Sequence, residues 1–432
     1  MKISRLIVKG LFGLYDYDID FSSQGEDFTV LTSPNGYGKT TLLRIINSLH
    51  VRRLFFLYTL KFERILFLFD DMSQLEAKEM DFAEGGTMDS DTRKNKRRGL
   101  LLVWLVNDVE ICRLDYSSEY LELAKHNAVR KVAASRHYPG DVYDENEEFF
   151  VSGDGGEALN TEIAQIQNQE MFLLQLATIQ TDFIGANRIY ATIRRDRSSR
   201  IRRELPVLQV VNELHDMLTD RVIGFQNNFQ RLDSKLIDML LGGQGQEISE
   251  TIYQSRAAQL SVVMDELTFY GLTNRQALPI YQAENAKVLD IYLQQMEEKL
   301  RYYDDLLPLV RLFNKNIQQK SFANKTIKLS PQHGLRIESD NGDILSADML
   351  STGEQNQIVL LYDLIFKTPK GSILLIDEPE SSLHVAWQND FVSDMQTIAK
   401  SKDLQIVVAT HSPIIVSNTP ELKVFDLFYL QK

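Results

Sequence analysis

The sequence predicts an α/β protein in which a mixed-sheet core is interrupted by a compact helical insertion. A strand-like segment at residues 26–32 runs directly into a glycine loop and a helix. The hydrophobic period becomes helical near residue 205 and returns to strand and turn patterns after residue 320. An apolar strand then ends in two carboxylates, Asp377 and Glu378. We therefore expect core segments at 1–204 and 321–432, with the insertion at 205–320.

The composition of the chain indicates a globular protein. Of 432 residues, 44% are hydrophobic and 25% charged, which is typical of a globular chain with a filled core. The net charge of -13 disfavours indiscriminate binding of nucleic acid. Cys112 is the only cysteine, so an intrachain disulfide is impossible. With no secretory signal and no run of 18 apolar residues, we expect a cytoplasmic protein without a membrane span.

The first part of the chain is predicted to be rich in strands. We expect strands at 2–10 and 26–32, followed by a helix with Leu42, Leu43, Ile46 and Leu49 on its apolar face. The apolar run at 53–69 is interrupted by charged residues and predicts a buried helix.

The chain from 100 to 190 mixes strand and loop signals. Residues 100–116 predict a hairpin that turns at Asn107-Asp108. Segment 137–160 lacks apolar periodicity and predicts an exposed loop. Residues 180–190 predict one more strand with a glycine break.

The middle of the chain has a helical pattern. Helices are predicted at 206–240, 250–268 and 284–319, with a glycine-rich turn at 241–246. The heptads are too short for a long coiled-coil arm, so we expect a helical hairpin or small bundle. Segment 325–345 then predicts strands with turns at Gly334 and Asn341-Gly342.

The loop SPNGYGKTT matches the phosphate-binding pattern G-x-x-x-x-G-K-[ST] except at its first position, Ser33. Glycines let successive N–H groups curl around phosphates, and a small serine can still ease the exit from the strand. A lysine there contacts the β and γ phosphates, and the next hydroxyl ligates Mg²⁺. We expect this loop to bind a nucleotide through Ser33, Pro34, Asn35, Gly36, Tyr37, Gly38, Lys39, Thr40 and Thr41.

The segment ILLIDEPESSLH, residues 373–384, has the features of the second half of such a site. Asp377 is expected to help Thr40 hold Mg²⁺, and Glu378 to polarise the attacking water. Taken alone, the segment also fits a buried strand capped by an acidic turn. Upstream, Ser351 and Glu354 have the spacing of a helix capping box, although a helix start with Ser and Gly can equally bind an anion.

Together these motifs resemble those of ABC-type ATPases, in the same order along the chain. The resemblance implies ATP and Mg²⁺ as cofactors and a two-lobed P-loop ATPase core. It implies that Ser351, Gly353 and Glu354 of one chain close on the γ-phosphate held by a second copy. It also assigns catalytic roles to Lys39, Glu378 and His411, the last resembling the family's switch histidine.

Two positions depart from the family pattern, namely Ser33 and His384, where transporters usually have Asp. The family's Q-loop glutamine is not assigned, since Gln175 and Gln180 both fit. The sequence DEPESSLH is similar to the corresponding motif in the RecF/SMC and OLD-like branch of these ATPases.

The spacing of the motifs distinguishes the branches. Lys39 and Ser351 are 312 positions apart (351 minus 39), much more than in a transporter subunit, and the helical segment is much shorter than an SMC arm. The motif-bearing segments most resemble compact ATPases of bacterial anti-phage systems, such as AriA of PARIS, PtuA of Septu and the ATPase half of OLD nucleases.

That resemblance implies an oligomeric sensor and scaffold with slow ATP hydrolysis. Such a scaffold sequesters a separate Toprim-like effector nuclease and releases it when a phage-encoded trigger protein is sensed. Only 21 residues follow His411 (432 minus 411), so we expect the nuclease to be another polypeptide.

Two other functions remain open. One is a RecF-like DNA-repair ATPase clamp, which would need a basic groove near the insertion and an ATP-dependent affinity for DNA that falls steeply with salt. The basic runs at 93–98 and 188–203 fit either a solvated surface or a contact for a partner protein or nucleic acid. The other is a scaffold that binds ATP without turnover.

Overall fold

The computed structural model describes residues 1–22, 28–50, 53–82, 97–117, 119–126, 154–185, 192–195, 201–242, 245–320, 322, 324–383, 385–420 and 423–430. These residues form two compact units. The first combines the described residues of 1–185, 192–203 and 368–430, and the second spans 204–367. Our division into 1–204, 205–320 and 321–432 stays a prediction.

The first unit contains an antiparallel sheet of six strands in the order β2-β1-β4-β5-β6-β7. Its strands are β1 (Ile3–Leu11), β2 (Tyr15–Asp20), β4 (Arg64–Phe69), β5 (Ser73–Phe82), β6 (Arg97–Val106) and β7 (Val109–Tyr116). The turn between β6 and β7 is made by Asn107 and Asp108, both at positive φ, as a two-residue hairpin turn requires.

A second sheet of five parallel strands has the order β16-β3-β15-β14-β8. Its strands are β3 (Phe28–Thr32), β8 (Thr181–Ile184), β14 (Ile373–Asp377), β15 (Gln405–Thr410) and β16 (Val424–Asp426). In the register, Asp377 pairs with Ala409, and Thr410 and Asp426 each pair with Thr32. The carboxyl ends of four strands therefore share one edge, where ligands bind in open parallel sheets.

One hydrophobic core joins the two sheets of the first unit and includes Leu6, Ile45, Trp104 and Leu375, all fully buried. Its helices are α1 (Lys39–Asn47), α2 (Phe56–Thr59), α3 (Asp154–Ile166), α4 (Glu170–Ala177), α10 (Val385–Lys402) and α11 (Pro413–Ser417), and strands β9 (Thr192–Arg195) and β10 (Ile201–Glu204) pair separately. Helix α1 packs on β8, β14 and β15, so the sheet supports the residues just before the helix.

The second unit is mainly helical. Its helices are α5 (Pro206–Leu241), α6 (Glu250–Phe269), α7 (Ala286–Leu300), α8 (Leu307–Gln319) and α9 (Thr352–Tyr362), and a π-helical turn at Asp363–Lys367 extends α9. An antiparallel sheet of β11 (Lys325–Ser330), β12 (Gly334–Ser339) and β13 (Ile344–Leu345) packs on α5. Among the described residues, no helix combines the length and the apolar character needed to cross a bilayer.

Most predicted elements are present, as expected for a mixed α/β ATPase fold with helical insertion. The two strands predicted before the glycine loop, at 2–10 and 26–32, are confirmed as β1 and β3. The hairpin at 100–116 and the strands at 325–345 are confirmed as well. The four apolar residues predicted for the inner face of α1 are fully buried.

Three predicted elements are wrong. Segment 53–69 forms a short helix and then β4. The Phe12 N–H donates to the carbonyl of Lys61, and the Glu63 N–H donates to the carbonyl of Lys9. These bonds extend the pairing of β4 with β1. Periodicity alone does not separate a short buried strand from a helix. The helix predicted at 284–319 is broken at 301–306, just before Pro308, which lacks the N–H needed inside a helix.

The third concerns the loop predicted at 137–160, because its last part, from 154, begins α3. Other predicted features lie outside the described residues. They are the rest of that loop, most of the basic run at 93–98, most of the run at 188–203, and His384.

Candidate nucleotide site

The shared strand edge brings together residues that are distant in the sequence. The loop at 33–38 leaves β3, Asp377 ends β14 with Glu378 directly after it, and His411 follows β15. Parallel pairing in register places these ends side by side. The structure thus assembles in one unit the loop, the carboxylate pair and the histidine that the sequence singled out.

The loop has the backbone of a phosphate cradle. Gly36 and Gly38 have φ values of +89° and +78°, which residues with a Cβ rarely adopt. A Cβ at Gly36 would have no atom within 4 Å, so space for a ligand exists there. The hydroxyl of Tyr17 donates to the carbonyl of Tyr37 at 2.6 Å and braces the loop from β2. Gly38 also directly precedes α1, whose N-terminal N–H groups favour an anion.

Lys39 is folded back on the loop. Its Nζ donates to the carbonyl of Ser33 at 2.9 Å and to that of Pro34 at 3.3 Å. The side chain is 6% exposed, and burial lowers its pKa, while the nearby carboxylates of Glu378 and Asp377 act in the opposite direction. The ammonium is therefore held close to the cradle by bonds that a phosphate can replace.

Asp377 and Thr40 provide oxygen atoms suited to Mg²⁺. The Thr40 hydroxyl donates to Oδ2 of Asp377 at 2.9 Å. The other oxygen, Oδ1, is buried and has no hydrogen-bond partner among the described residues. Mg²⁺ in phosphate sites takes one or two protein oxygens, with phosphates and water completing the octahedron. The pair fits that requirement, and no cluster of three His, Cys, Asp or Glu side chains offers an alternative cage in the described part.

The pKa of Asp377 is raised, chiefly by burial and further by the neighbouring Glu378 carboxylate, although the Thr40 hydrogen bond lowers it. A buried charge without a complete set of partners is costly. A cation at Oδ1 would remove that cost, which is the electrostatic reason to place a metal there.

Glu378 and His411 lie next to each other at the open side of the site. Glu378 has φ +43°, a left-handed conformation that costs about 1–2 kcal/mol for a residue with a Cβ. Its N–H donates to the carbonyl of Ala409 at 2.8 Å, so the turn is fixed to β15. His411 Nε2 lies 4.0 Å from Glu378 Oε1, and their side chains are 34% and 40% exposed. Both groups are thus accessible to a ligand in the loop.

Sequence reasoning missed Glu380. Its carboxylate accepts hydrogen bonds from the backbone N–H of His411 and from the Thr410 hydroxyl, at 2.5 and 2.7 Å. The acceptor is 30 or more positions from its donors, so no local pattern marks it. Tyr17 was missed for the same reason.

Ser351, Gly353 and Glu354 lie in the second unit, at the start of α9. The predicted capping box is present: the Ser351 N–H donates to Glu354 Oε2 at 2.8 Å, and Ser351 Oγ accepts from the Glu354 N–H. Lys325 Nζ lies 3.0 Å from Glu354 Oε1. Burial on its own raises the pKa of Glu354, but the hydrogen bonds from Ser351 and Lys325 outweigh it and hold that pKa below its usual value. Ser351 and Thr352 are exposed, so the helix start is accessible to an anion.

Part of the chain is similar to curated transport proteins. Over 150 residues it is 29% identical to the probable iron chelatin transport ATP-binding protein of Helicobacter pylori, in strains 26695 and J99. The match covers 33% of this chain and 55% of the relative. The chain thus spans about half the length of the curated relatives it matches, and the transport in their name is a statement about those proteins.

The chain is also similar to solved structures of SMC heads. The SMC head domain from Thermotoga maritima is 12% identical with a TM-score of 0.32, covering 97% of this chain and 92% of that one. The Smc head bound to the C-winged helix domain of ScpA is 13% identical with a TM-score of 0.35, covering 97% and 93%.

A sequence model of one family matches almost the whole chain. The AAA ATPase domain model aligns with residues 1–416, a span that includes the glycine loop, the carboxylate pair and His411. The chain therefore belongs to the AAA ATPase domain family.

Proposed function

We propose that the chain binds ATP at the loop 33–41 and hydrolyses it slowly, as an ATP-dependent switch between two copies. The observation that carries this proposal is the pairing of Thr40 with Asp377 beside a Lys39 that already lies on the loop. Family membership supports an ATPase, and the geometry supports the roles of particular residues.

The phosphate-binding step uses the loop and Lys39. Backbone N–H groups of the cradle and the N-terminus of α1 attract the phosphate oxygens. Lys39 exchanges its bonds to the carbonyls of Ser33 and Pro34 for bonds to phosphate, and its charge balances the negative charge that grows in the transition state. Mg²⁺ held by Thr40 and Asp377 would neutralise phosphate charge.

We assign Glu378 and His411 to the hydrolytic step. The Glu378 carboxylate accepts a hydrogen bond from the attacking water and orients it. His411, at 4.0 Å from that carboxylate, contacts the γ-phosphate or the water from the other side. Both side chains are partly exposed, so the site is open to solvent until another surface covers it.

That covering surface is the exposed start of α9 in a second copy. Ser351 and Gly353 would approach the γ-phosphate, and Lys325 neutralises the Glu354 carboxylate that otherwise repels an anion. Two copies would therefore enclose two ATP molecules, and hydrolysis would release the contact.

For the cellular role, we propose a sensor and scaffold of an anti-phage defence system, which sequesters and releases a separate Toprim-like nuclease. The support is the resemblance of the segments LIVKGLFGLYDYDIDF, SPNGYGKTT, FIGANR and LSTGEQNQIVLLYDLI to those ATPases. The alternative is a RecF-like clamp on DNA. Affinity purification from a native host separates the two: a small co-purifying nuclease favours the scaffold, and co-purifying DNA favours the clamp.

The ATPase proposal is tested with two variants. Glu378→Gln keeps the shape of the side chain but not its charge, so we expect ATP to bind with unchanged affinity while hydrolysis falls by about a hundredfold or more. Lys39→Ala is expected to weaken ATP binding. The measurements are phosphate release and fluorescent-ATP titration.

Lys400→Ala is the control, since this lysine is exposed on α10. Equal ATP affinity in Lys39→Ala and the unmodified chain would refute the site assignment. Unchanged hydrolysis in Glu378→Gln would refute the role of that residue, and a chain that binds ATP without any turnover would be a silent scaffold.

A further inference from the structure

The turn after β14 holds a second acidic side chain that the proposed hydrolysis does not use, Glu380. Both of its carboxylate oxygens are occupied, each by a different donor. Oε1 accepts the backbone N–H of His411, and Oε2 accepts the hydroxyl of Thr410 at 2.7 Å. Hydrogen bonds to a carboxylate are about twice as strong as bonds between neutral groups.

The Thr410 hydroxyl extends this contact to Ser412, two positions further along the chain. Because its proton is donated to Glu380, its lone pairs are free to accept the N–H of Ser412, at 2.9 Å. Ser412 in turn donates its hydroxyl to Gln388 on α10 at 2.7 Å. The backbone on both sides of His411 is thus tied to neighbouring elements, and Thr410 is fully buried.

We propose that Glu380 is a positioning residue that clamps the backbone of Thr410 and His411 to the turn carrying Glu378. The clamp sets the distance between the imidazole of His411 and the Glu378 carboxylate, which is 4.0 Å in the structure. The inference rests on the proposed function, because it gives Glu380 a role only if Glu378 and His411 act in hydrolysis.

The two-oxygen geometry explains why a glutamate is needed. An aspartate is one methylene shorter and would not reach both donors. A glutamine keeps one acceptor oxygen for the His411 N–H and presents an NH₂ group to Thr410, whose hydroxyl has to reorient. The conservative variant Glu380→Gln should therefore keep part of this contact and part of the activity. The variant Glu380→Ala should keep none of the contact.

Glu380 also lies close enough to Lys39 to favour its charged form. An effect through Lys39 would be electrostatic and independent of His411. The decisive test is therefore whether Glu380 and His411 act through each other, which a double-mutant cycle measures.

The cycle consists of Glu380→Ala, His411→Ala and the double variant, with kcat, KM and ATP affinity measured for each. We expect Glu380→Ala to lower kcat by about tenfold, since the two charge-assisted hydrogen bonds that hold the backbone at His411 are lost. KM and ATP affinity should stay nearly unchanged. In the His411→Ala background, Glu380→Ala should cause no further loss, because no imidazole remains to be positioned. Glu380→Gln should restore much of kcat.

Asp426→Asn is the matched control. Asp426 likewise favours the charged form of Lys39, but its carboxylate accepts from the Phe428 N–H and not from Thr410 or His411. Its effect on kcat should be the same with and without His411.

Independent, multiplying losses from Glu380→Ala and His411→Ala would overturn the inference, and so would a full loss in Glu380→Gln. If Glu380→Ala does not fold, the cycle is run with Glu380→Gln, for which we expect the same coupling at smaller amplitude. If Glu378→Gln is inactive but the losses from Glu380→Ala and His411→Ala are independent, this inference alone is refuted. If Glu378→Gln hydrolyses ATP at the normal rate, the proposed function is refuted and the inference with it.

Discussion

At the scale of single residues, Asp377 shows how the site departs from ordinary protein interiors. One carboxylate oxygen accepts from Thr40, and the other is buried without a partner in the described part of the chain. Native structures rarely leave such atoms unsatisfied unless water, an ion or a function accounts for them. The strained φ of Glu378, the next residue, is a second local cost at the same strand end.

Asp377→Asn should therefore stabilise the nucleotide-free chain at neutral pH and abolish Mg²⁺-dependent hydrolysis. Burial raises the pKa of Asp377 above its ordinary value of 3.8, so the folded chain holds this proton more tightly than the unfolded chain. The cost of ionisation is absent below the ordinary value and grows as the pH rises through the folded pKa. The gain in Tm should thus be present at pH 7 and vanish near pH 4.

Thermal unfolding across this pH range, beside Asp343→Asn, checks the prediction. Asp343 lies exposed in a turn, so its variant should follow the unmodified chain at every pH. A lower Tm for Asp377→Asn at neutral pH would contradict the account of the buried charge.

At the scale of elements, the second unit depends on a close approach of backbone to backbone. Strand β12 begins at Gly334, which has φ +66° and faces the carbonyl of Val211 on α5. A Cβ at this position would lie 2.0 Å from that carbonyl oxygen and 3.0 Å from the N–H nitrogen of His215. The missing side chain is what lets the sheet pack on the helix.

Gly334→Ala should consequently cost more than a backbone penalty alone. We expect a loss of about 2–4 kcal/mol, from the left-handed φ and from overpacking against α5. Gly342→Ala is the matched control, because Gly342 has φ +86° but no atom within 4 Å of its Cβ position. It should lose only about 1 kcal/mol.

Urea unfolding measures both variants. Equal losses at the two glycines would show that the contact with α5 does not matter, and only the φ angle does. The comparison isolates packing because both glycines have a positive φ, Gly334 at the start of β12 and Gly342 in the turn that follows it.

At the scale of the whole molecule, the proposed switch needs two copies. The loop residue Asn35 and the helix-start residue Thr352 are both exposed, and in an ATP-bound pair the loop of one copy would face the helix start of the other. The only native cysteine, Cys112, is buried, and burial raises its pKa to about 11, so it is unreactive near pH 8.

Introduced cysteines can therefore report the pairing. In a Glu378→Gln background, Asn35→Cys with Thr352→Cys should form a disulfide between copies only when ATP and Mg²⁺ are present. Non-reducing gels and mass measurement detect the crosslink. Each single-cysteine variant is the control and should stay uncrosslinked. Crosslinking that does not depend on ATP, or no crosslinking under any condition, would exclude a pair of copies that encloses ATP.

The sequence alone determined the parts of this protein that depend on neighbouring residues. The loop 33–41 and the capping box at Ser351 are contiguous patterns, because a cradle and a helix start are built from successive backbone groups. The hairpin at Asn107-Asp108 is of the same kind, since two residues at positive φ set the turn.

Only the tertiary structure decided the rest. Thr40 and Asp377 are 337 positions apart, and the parallel register of β3, β15 and β14 brings them within 2.9 Å. Residues 64–69, predicted as part of a helix, form a strand because they pair with β1, and the carboxylate of Glu380 accepts hydrogen bonds from residues at the end of another strand. The physical reason is common to all three: hydrogen-bond partners across a sheet are chosen by strand order and register, which no local pattern of residues encodes.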